Sequence, residues 1–415
     1  MKVYLRTFGC RANHYDSEAV RAMVEASGHA VVSTAADADV AVFNSCAVTS
    51  EAEAELRKVV RRSARERAGL RSVVMGCAAA LDETRPVAFR IASLPSVESV
   101  VGGADLDGVA SALGIAHGPV GARTRAQTGT RALLRIQDGC DEHCTFCATT
   151  IARGANRSRS TDELVREAAL LAERHPEMVI TGIHIGTYGA DSESSLGELM
   201  ERLVAQVPVV RFRLSSIEAT ELDQRLVELF AGAPERLAPH VHAPLQSGSD
   251  RVLRRMGRHW YTRDTYAMAV QRLASRLPIL GLGADVIAGF PGETDDDHAA
   301  TVCVIDELPF TYLHVFPYSA RPGTAAERLG GRVHSALITE RAAQLRDLSR
   351  RKAATYAAAR AGGLADVVVT AGGIEREGMT GDYLDVRIPD PSFGRGDRFT
   401  ARLSAVSRGL EAVAV

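Results

Sequence analysis

Three closely spaced cysteines place the strongest constraint on this chain. Cys140, Cys144 and Cys147 form a C-x3-C-x2-C pattern that directly follows a predicted strand. Residues that follow a strand of a βα repeat lie at the carboxyl-terminal face of the sheet, where such folds bind ligands. Three thiolates can bind three irons of a [4Fe–4S] cluster and leave one iron open. A closed zinc site that also uses His143 is the alternative, although His143 would have to fold back tightly beside Cys144.

Composition narrows the class of protein. The chain has 415 residues, of which 46% are hydrophobic, and this is enough for two or three domains with cores. The formal net charge of -2 shows no overall basic excess, and nearly all cations are arginines, whose planar guanidinium suits phosphate. We find no signal-peptide core and no apolar run of membrane-spanning length, so we expect a cytoplasmic protein without a membrane partner. In that compartment, seven cysteines indicate metal ligands rather than disulfides.

The pattern divides the chain into three predicted domains of the α/β class, at 1–121, 131–350 and 351–415, with a linker rich in Gly, Thr and Arg at 118–130. The first domain alternates strands and helices, which predicts a doubly wound parallel sheet. Its predicted strands are 2–7, 30–33, 40–44 and 72–75, and its predicted helices are 16–26, with Asp16 as the cap, and 50–67.

The second domain contains six strand-like runs with helical stretches between them, a pattern that predicts a partial (β/α) barrel. The runs are 132–137, 178–183, 209–215, 240–245, 280–287 and 312–317. A helix at 336–361 then leads into short alternating runs at 367–369, 383–388 and 398–403, which predict a small β-barrel.

A second set of cysteines is dispersed along the first domain. Cys10, Cys46 and Cys77 each stand just beyond a predicted strand. Because neighbouring parallel strands end about 5 Å apart, these thiols can converge and hold a second three-cysteine cluster. Gly9 and Gly76 favour this interpretation, since glycine lets the backbone approach closely. Three inert buried cysteines are the alternative, and Cys303, in an apolar run, is predicted to be a core residue.

Several motifs resemble those of the radical S-adenosylmethionine (SAM) methylthiotransferase family over essentially the whole chain. The shared motifs are the central triad, Thr181-Gly182-Ile183, Ser215-Ser216-Ile217-Glu218, 244–250 and 289–294. The segments 7–13, 44–49 and 314–319 most resemble the MtaB type. That branch adds a methylthio group to C2 of N6-threonylcarbamoyladenosine, next to the tRNA anticodon.

This resemblance implies the cofactors and the partners. It implies two [4Fe–4S] clusters, one on Cys140, Cys144 and Cys147 and an auxiliary one on Cys10, Cys46 and Cys77. SAM would bind the open iron of the first cluster and be cleaved to a 5′-deoxyadenosyl radical, and the second cluster would hold the sulfur. The implied SAM-binding residues are Thr181, Gly182, Glu218, Gln246 and Asp285. The implied partners are the tRNA anticodon loop, a flavodoxin- or ferredoxin-like electron donor and a sulfur donor.

Candidate RNA contacts lie in two places. Arg153, Arg157 and Arg159 follow the triad near the expected barrel mouth, where they could hold the anticodon loop. The carboxyl-terminal segment resembles a TRAM domain, an RNA-binding barrel that could present Tyr383 for base stacking and Arg387, Arg398 and Arg402 to phosphates. The basic run at 57–67 is either a solvated helix face or a phosphate contact, and we expect His240 and His242 to be hydrogen-bonded within the protein.

The chain also departs from the family pattern. It reads Ala148-Thr149-Thr150-Ile151 where relatives usually place two aliphatic residues, proline and tyrosine, and Ala78-Ala79-Ala80 where they often have Tyr-Ala-Gln. We expect the clusters to persist and the substrate contacts to differ in detail. The alternative functions are methylthiolation of isopentenyladenosine in tRNA or of a ribosomal-protein aspartate. A non-catalytic RNA-binding metalloprotein is disfavoured, because the first triad leaves an iron open.

Overall fold

The first hundred residues form a parallel sheet with helices on both faces. In the computed structural model, which describes residues 1–47, 50–116, 127–373, 375–407 and 409–415, the strand order is β2-β1-β3-β4-β5. Residues 118–126 of the predicted linker lie outside the described residues. The elements are β1 (Lys2–Thr7), α1 (Arg11–Ala26), β2 (Ala30–Val32), β3 (Val40–Ser45), α2 (Ser50–Glu66), β4 (Arg71–Gly76), α3 (Cys77–Ala80), β5 (Val97–Gly102) and α4 (Leu106–Leu113).

Alternation along β3 explains why both faces of this sheet are covered. Val40 and Val42 pack with the residues of α1 and α4, whereas Ala41 and Phe43 pack with those of α2. The predicted doubly wound sheet is therefore confirmed. The helix α1 begins at Arg11, five residues before the predicted cap Asp16, whose buried side chain binds arginines of the next domain instead.

The middle of the chain builds a curved sheet of six parallel strands. The order β10-β9-β6 is joined to β11-β12-β13 by two isolated parallel bridges, Phe212 to Leu237 and Ser216 to His242, as the six predicted strands require. The six strands are β6 (Ala132–Arg135), β9 (Glu177–Thr181), β10 (Arg211–Leu214), β11 (His240–His242), β12 (Gly281–Ala288) and β13 (Tyr312–Pro317), and a separate antiparallel pair is formed by β7 (Gln137–Asp138) and β8 (Arg157–Ser158). The helices are α5 (Thr149–Arg153), α6 (Thr161–Ala172), α7 (Leu196–Gln206), α8 (Gln224–Gly232), α9 (Asp250–Arg255), α10 (Arg263–Arg276), α11 (Asp295–Glu307) and α12 (Ser335–Arg360).

The last fifty residues close into a five-stranded barrel of order β14-β15-β16-β18-β17. Its strands are β14 (Leu364–Ala371), β15 (Arg376–Thr380), β16 (Asp385–Ile388), β17 (Arg398–Val406) and β18 (Gly409–Ala414). The predicted small barrel is confirmed. Its strands β15 and β18, like β5 of the first sheet, were not predicted, because their sequence patterns are weak. Cys303 corrects another prediction, because it is exposed on α11, where its thiol donates to Glu307. Across the described ranges, no helix has the length and apolar character needed to cross a membrane.

A buried ionic cluster fastens the small barrel to the base of the six-stranded one. Glu177, fully buried, accepts hydrogen bonds from Arg211 at 2.6 Å and Arg213 at 2.9 Å. The same guanidinium groups donate to the carbonyls of Asp366, Thr380 and Gly381 on the small barrel. Burial alone would raise the pKa of Glu177, but the two arginines hold it well below its ordinary value.

We predict that Glu177→Gln lowers the free energy of unfolding by about 3–5 kcal/mol, because it leaves the buried Arg213 guanidinium without an anion and Arg211 with Asp366 alone. Glu201→Gln, which removes an exposed ion pair with Arg225, should cost less than about 1 kcal/mol. The folded-state pKa of Glu177 is depressed. The contribution of Glu177 to stability is therefore fully present above its unfolded pKa of about 4.3 and is lost as the pH falls below that value. Chemical denaturation at pH 7 and pH 4 measures both effects, and equal losses for the two variants would contradict the prediction.

Candidate active site between two cysteine sets

Cys10, Cys46 and Cys77, here the amino-terminal cysteine set, follow three adjacent strands. Those strands are β1, β3 and β4, so the carboxyl ends of neighbouring parallel strands bring the cysteines together as the sequence predicts. The Asn13 Oδ1 atom lies 3.6 Å from the Cys10 thiol and 4.0 Å from the Cys77 thiol. Cys10 also stands at the N-cap of α1.

Two glycines make room for this set. Gly9 has a φ of +101°, and a β-carbon there would lie 2.6 Å from both the Cβ and the Sγ of Cys46. Gly76 has a φ of +97°, and a β-carbon would lie 2.5 Å from the Ser45 carbonyl oxygen. Side chains at these positions would push the cysteine-bearing turns apart. All seven cysteines are free thiols, so this donor set fits an iron–sulfur cluster.

Cys140, Cys144 and Cys147, here the central cysteine set, line one cavity of about 170 Å³. Burial raises the pKa of Cys144 to about 12, which keeps that thiol protonated at neutral pH when no metal is bound. A metal that binds the thiolate supplies the positive charge that such a site lacks. The cavity also contains two buried polar atoms, Glu218 Oε2 and Trp260 Nε1, that have no hydrogen-bond partner among the described residues. A polar ligand such as SAM fits those unpaired atoms.

Arg258 organises one wall of the cavity. Its guanidinium pairs with Glu218, donates to Tyr261 at 2.9 Å and approaches the Cys144 thiol at 3.5 Å. It also stacks over Trp260 at 4.7 Å. On the opposite wall, the His184 Nδ1 atom lies 3.6 Å from the Cys140 thiol. No motif in the sequence indicated Arg258 or His184. The only available signal was position, because His184 directly follows the predicted strand 178–183 and Arg258 lies in a helical stretch between predicted strands.

The five predicted SAM-binding residues occupy different positions. Glu218 and Gln246 line the cavity of the central set. Gly182 lies beside it, where a β-carbon would come within 2.8 Å of the Gln137 side chain. Thr181 is buried at the end of β9. Asp285 lies outside this cavity and lines the neighbouring one.

The neighbouring cavity, of about 220 Å³, shares Phe146 and Gln246 with the first. Gln246 lies at the junction of the two cavities. Its φ of +61° is a strained backbone conformation for a residue with a side chain. Asp285, Ile287 and the segment Phe316–Arg321 complete the lining, whose full list is Phe146, Gln246, Asp285, Ile287, Phe316, Pro317, Tyr318, Ser319 and Arg321. The second cavity therefore adjoins the cavity of the central cysteine set.

Below this cavity, polar side chains fill the lumen of the six-stranded barrel. Asp285 Oδ1 is bonded to His242 Nε2 at 2.9 Å and to His314 Nδ1 at 3.2 Å. The Tyr312 hydroxyl bonds to His242 at 3.0 Å and to His240 at 2.8 Å. The expected hydrogen bonding of His240 and His242 is thus observed. The ligand atoms of His242, Asp285 and His314 lie within 4.8 Å of one another, so this group could also hold a metal ion.

Arg153 connects the two cysteine sets. Its Nε atom lies 3.3 Å from the Cys77 thiol, and it pairs with Asp16 at 2.9 Å and Asp138 at 3.2 Å. The next residue, Gly154, accepts a hydrogen bond from the Cys140 amide at 3.0 Å. The Arg153 side chain is 0% exposed. The predicted RNA contact of Arg153 is therefore wrong, because its guanidinium is enclosed between two domains.

Some of the other predicted RNA contacts are bound within the protein, and others are exposed. Arg159 is bound to Glu163 and Glu167 at the domain junction. The Tyr383 ring stacks on His240 at 4.3 Å, and its hydroxyl accepts from Arg11, so it does not present a free face for bases. Arg398 pairs with Asp366, and Arg402 donates to Gly362. In contrast, the side chains of Arg157 and Arg387 are each 58% exposed and remain candidates.

Comparison with known proteins identifies two conserved modules. Residues 2–101 match the family model described as "Uncharacterized protein family UPF0004", and residues 134–302 match the model described as "Radical SAM superfamily". Among solved structures, the radical S-adenosylmethionine methyltransferase TsrM from Kitasatospora setae is similar, with a TM-score of 0.57 and 14% identity over 78% of this chain and 76% of that one. At that identity the likeness shows the fold alone.

Curated relatives are similar over most of their length. The chain is 36% identical to the threonylcarbamoyladenosine tRNA methylthiotransferase MtaB of Bacillus subtilis, over 86% of this chain and 82% of that protein. The MtaB of Thermotoga maritima is 33% identical, over 85% and 83%. A tRNA-2-methylthio-N(6)-dimethylallyladenosine synthase of Sorangium cellulosum is 36% identical, over 88% and 81%.

We predict that Arg153→Met destabilises the protein by about 3 kcal/mol, because Asp16 and Asp138 lose their fully buried cation and keep the less buried Arg135. Arg157→Met, four residues away and largely exposed, serves as the matched control and should change stability by less than about 1 kcal/mol. Anaerobic denaturation of the two variants measures the difference. If Arg153→Met were as stable as the native chain, Arg153 could not be the link between the domains.

Proposed function

This chain belongs to the radical SAM methylthiotransferase family, and we propose from that premise that it transfers a methylthio group to C2 of N6-threonylcarbamoyladenosine in tRNA. One observation supports this proposal above all. Arg153 contacts the Cys77 thiol and the adjacent Gly154 accepts from the Cys140 amide, so one short segment links the two cysteine sets. That arrangement suits a reaction in which one set activates SAM and the other delivers sulfur to the same base.

The residues present fit two [4Fe–4S] clusters, one on each cysteine set. When bound, these clusters supply the one-electron cleavage of SAM and the sulfur that is transferred. The side chains of the protein position the reactants. Glu218 and Arg258 provide a paired carboxylate and guanidinium beside Cys144, where they can orient the charged groups of SAM. Burial raises the pKa of Glu218, while Arg258 opposes that shift.

The junction between the two cavities is the proposed place of the target adenine. Phe146 offers an aromatic face there, and it packs edge to face against Phe290 at 6.4 Å. Gln246 offers amide donors and acceptors from the same junction. An adenine at this point would have its C2 near both cysteine sets.

The proposed RNA contacts are the two predicted arginines whose side chains are largely exposed, although Arg387 also pairs with Glu411. Arg157 lies directly beyond the link between the cysteine sets, and Arg387 lies on the surface of the small barrel. Contacts of this kind bind phosphate and fix the register of the RNA without reading its sequence. A flavodoxin- or ferredoxin-like electron donor and a sulfur donor complete the proposed partners.

Methylthiolation of isopentenyladenosine is the second candidate, and the 36% identity to the Sorangium cellulosum synthase favours it over other substrates. The branch-specific segment at 314–319 supports threonylcarbamoyladenosine, because part of it lines the cavity beside the central set. The two candidates differ in the polarity of the group on N6. Analysis of the modified nucleosides separates them directly.

We predict that anaerobic reconstitution gives about eight irons per chain. Replacing Cys10, Cys46 and Cys77 with alanine should leave about four irons and retain SAM cleavage, while no methylthio product forms. Replacing Cys140, Cys144 and Cys147 should also leave about four irons but abolish SAM cleavage. Cys303→Ala is the matched control, since Cys303 is an exposed thiol outside both sets. About four irons in the native chain would disprove the second cluster.

We further predict that a strain lacking this protein loses the methylthio form of threonylcarbamoyladenosine and accumulates the unmethylthiolated nucleoside. Mass spectrometry of nucleosides from total tRNA measures both species. Complementation with the native gene should restore the product, and the variant lacking Cys140, Cys144 and Cys147 should not. If the methylthio form persisted while that of isopentenyladenosine disappeared, the second candidate would be correct.

A further inference from the structure

We propose that Asp285 and His314 form the subsite that reads the substituent on N6 of the target adenosine, and that this subsite takes a polar group carrying N–H or O–H donors and a carboxylate. The inference rests on the proposed function, and it adds the part of the site that selects among N6-modified adenosines. It also assigns Asp285 to the RNA substrate rather than to SAM.

The position of the subsite follows from the two cavities. Gln246 and Phe146 belong to both, whereas Asp285 belongs only to the cavity away from the central cysteine set. Asp285 on β12 is paired in register with His314 on β13, so the two side chains lie side by side. C2 and N6 lie on the same edge of a purine. An adenine with C2 at the junction therefore directs its N6 substituent toward Asp285 and His314.

The hydrogen bonds leave suitable atoms for such a substituent. Both imidazoles bond to the same carboxylate oxygen, Asp285 Oδ1. Within the described part of the chain, Asp285 Oδ2 has no hydrogen-bond partner, so it can accept an N–H or O–H from the ligand. His314 uses Nδ1 for Asp285, and its side chain is 54% exposed, so Nε2 can meet a ligand carboxylate.

The charge of Asp285 is maintained by its neighbours. Burial alone would raise the pKa of this carboxyl, but the hydrogen bonds from His242 and His314 hold it well below its ordinary value. Arg321 lines the same cavity, and its guanidinium donates to Ser319 and to the Ala320 carbonyl. The cavity thus offers an accepting carboxylate and a partly exposed imidazole, which complement a substituent with both donors and a carboxylate.

An apolar substituent does not complement these groups. An isopentenyl chain in the same place would bury the Asp285 carboxylate against hydrocarbon and replace no hydrogen bond. Sites built to hydrogen-bond a substrate discriminate strongly against analogues that lack the polar group, because the polar side chains of the site are then left unpaired. The subsite therefore favours threonylcarbamoyladenosine over isopentenyladenosine.

A metal ion on His242, Asp285 and His314 is the competing explanation for this cluster. Direct contact accounts better for its geometry. The distances of 2.9 and 3.2 Å from Asp285 Oδ1 to the two imidazoles are those of hydrogen bonds. His242 also bonds through its other ring nitrogen to the Tyr312 hydroxyl. The histidines are thus already oriented by protein groups, and the experiment below includes the metal as an outcome.

The test measures binding rather than turnover. The reconstituted protein is titrated at one salt concentration with three anticodon stem–loop RNAs that differ only in the target base, which carries a threonylcarbamoyl group, an isopentenyl group or no substituent. We expect the native chain to prefer the threonylcarbamoyl RNA by at least about tenfold, and His314→Gln and Asp285→Asn each to remove most of that preference. His334→Gln makes the same change at an exposed histidine at the N-cap of α12 and should keep the preference.

The outcomes separate the explanations. The proposal is overturned if the native chain shows no preference, if both variants keep it, or if they weaken all three RNAs equally. A preference removed by EDTA and restored by Mn²⁺ would replace direct contact with a metal site. Because the two variants lie on different strands, one remains informative if the other fails to fold or to retain iron. Failure of the proposed function is distinct: the native chain would bind the threonylcarbamoyl RNA selectively but leave it without a methylthio group.

Discussion

The buried guanidinium of Arg153 is the interaction on which the arrangement of the active site depends. It is fully enclosed, and it binds Asp16 from the first domain and Asp138 from the second. Burial alone would lower its pKa, but Asp16, Cys77 and Asp138 raise it, so the charge is retained. Asp16 also pairs with Arg135, so two arginines of the second domain hold one buried carboxylate of the first and together fix the relative position of the two domains. The position of one cysteine set relative to the other is fixed in the same way.

Around this fixed point, each domain contributes something that the other lacks. The parallel sheet gathers three dispersed cysteines at one edge, and Gly9 allows the turns that carry them to approach within contact distance. The six-stranded barrel supplies an enclosed pocket with a second set of thiols and a paired Arg258 and Glu218. Neither domain alone encloses the space between the sets. The sulfur transfer that we propose therefore belongs to the junction rather than to either fold.

Most of the fold could be predicted from the sequence, because strands and helices that alternate with clear polarity have few alternatives. The central triad could be read from its spacing, and Cys10, Cys46 and Cys77 from their places after strands. The errors concern arginines and a tyrosine. A sequence shows that Arg153 follows the triad, but not that Asp16, far away in sequence, encloses it. Tyr383 similarly has the character of a stacking residue, and only the docking of the barrels directs its ring inward.

The turn around Tyr383 bears on how this architecture can evolve. A β-carbon at Gly281 would come within 2.0 Å of the Asp382 carbonyl oxygen, so the small barrel fills the base of the larger one with little space to spare. Arg213 donates to the Thr380 and Gly381 carbonyls on that same turn, and Arg211 donates to the Asp366 carbonyl on β14. Without the small barrel, the guanidinium groups of Arg211 and Arg213 would lie at an uncovered base of the six-stranded barrel. The small barrel is therefore not a detachable module: a lineage that exchanged it would have to keep the inserted turn, or redesign the floor of the catalytic domain as well.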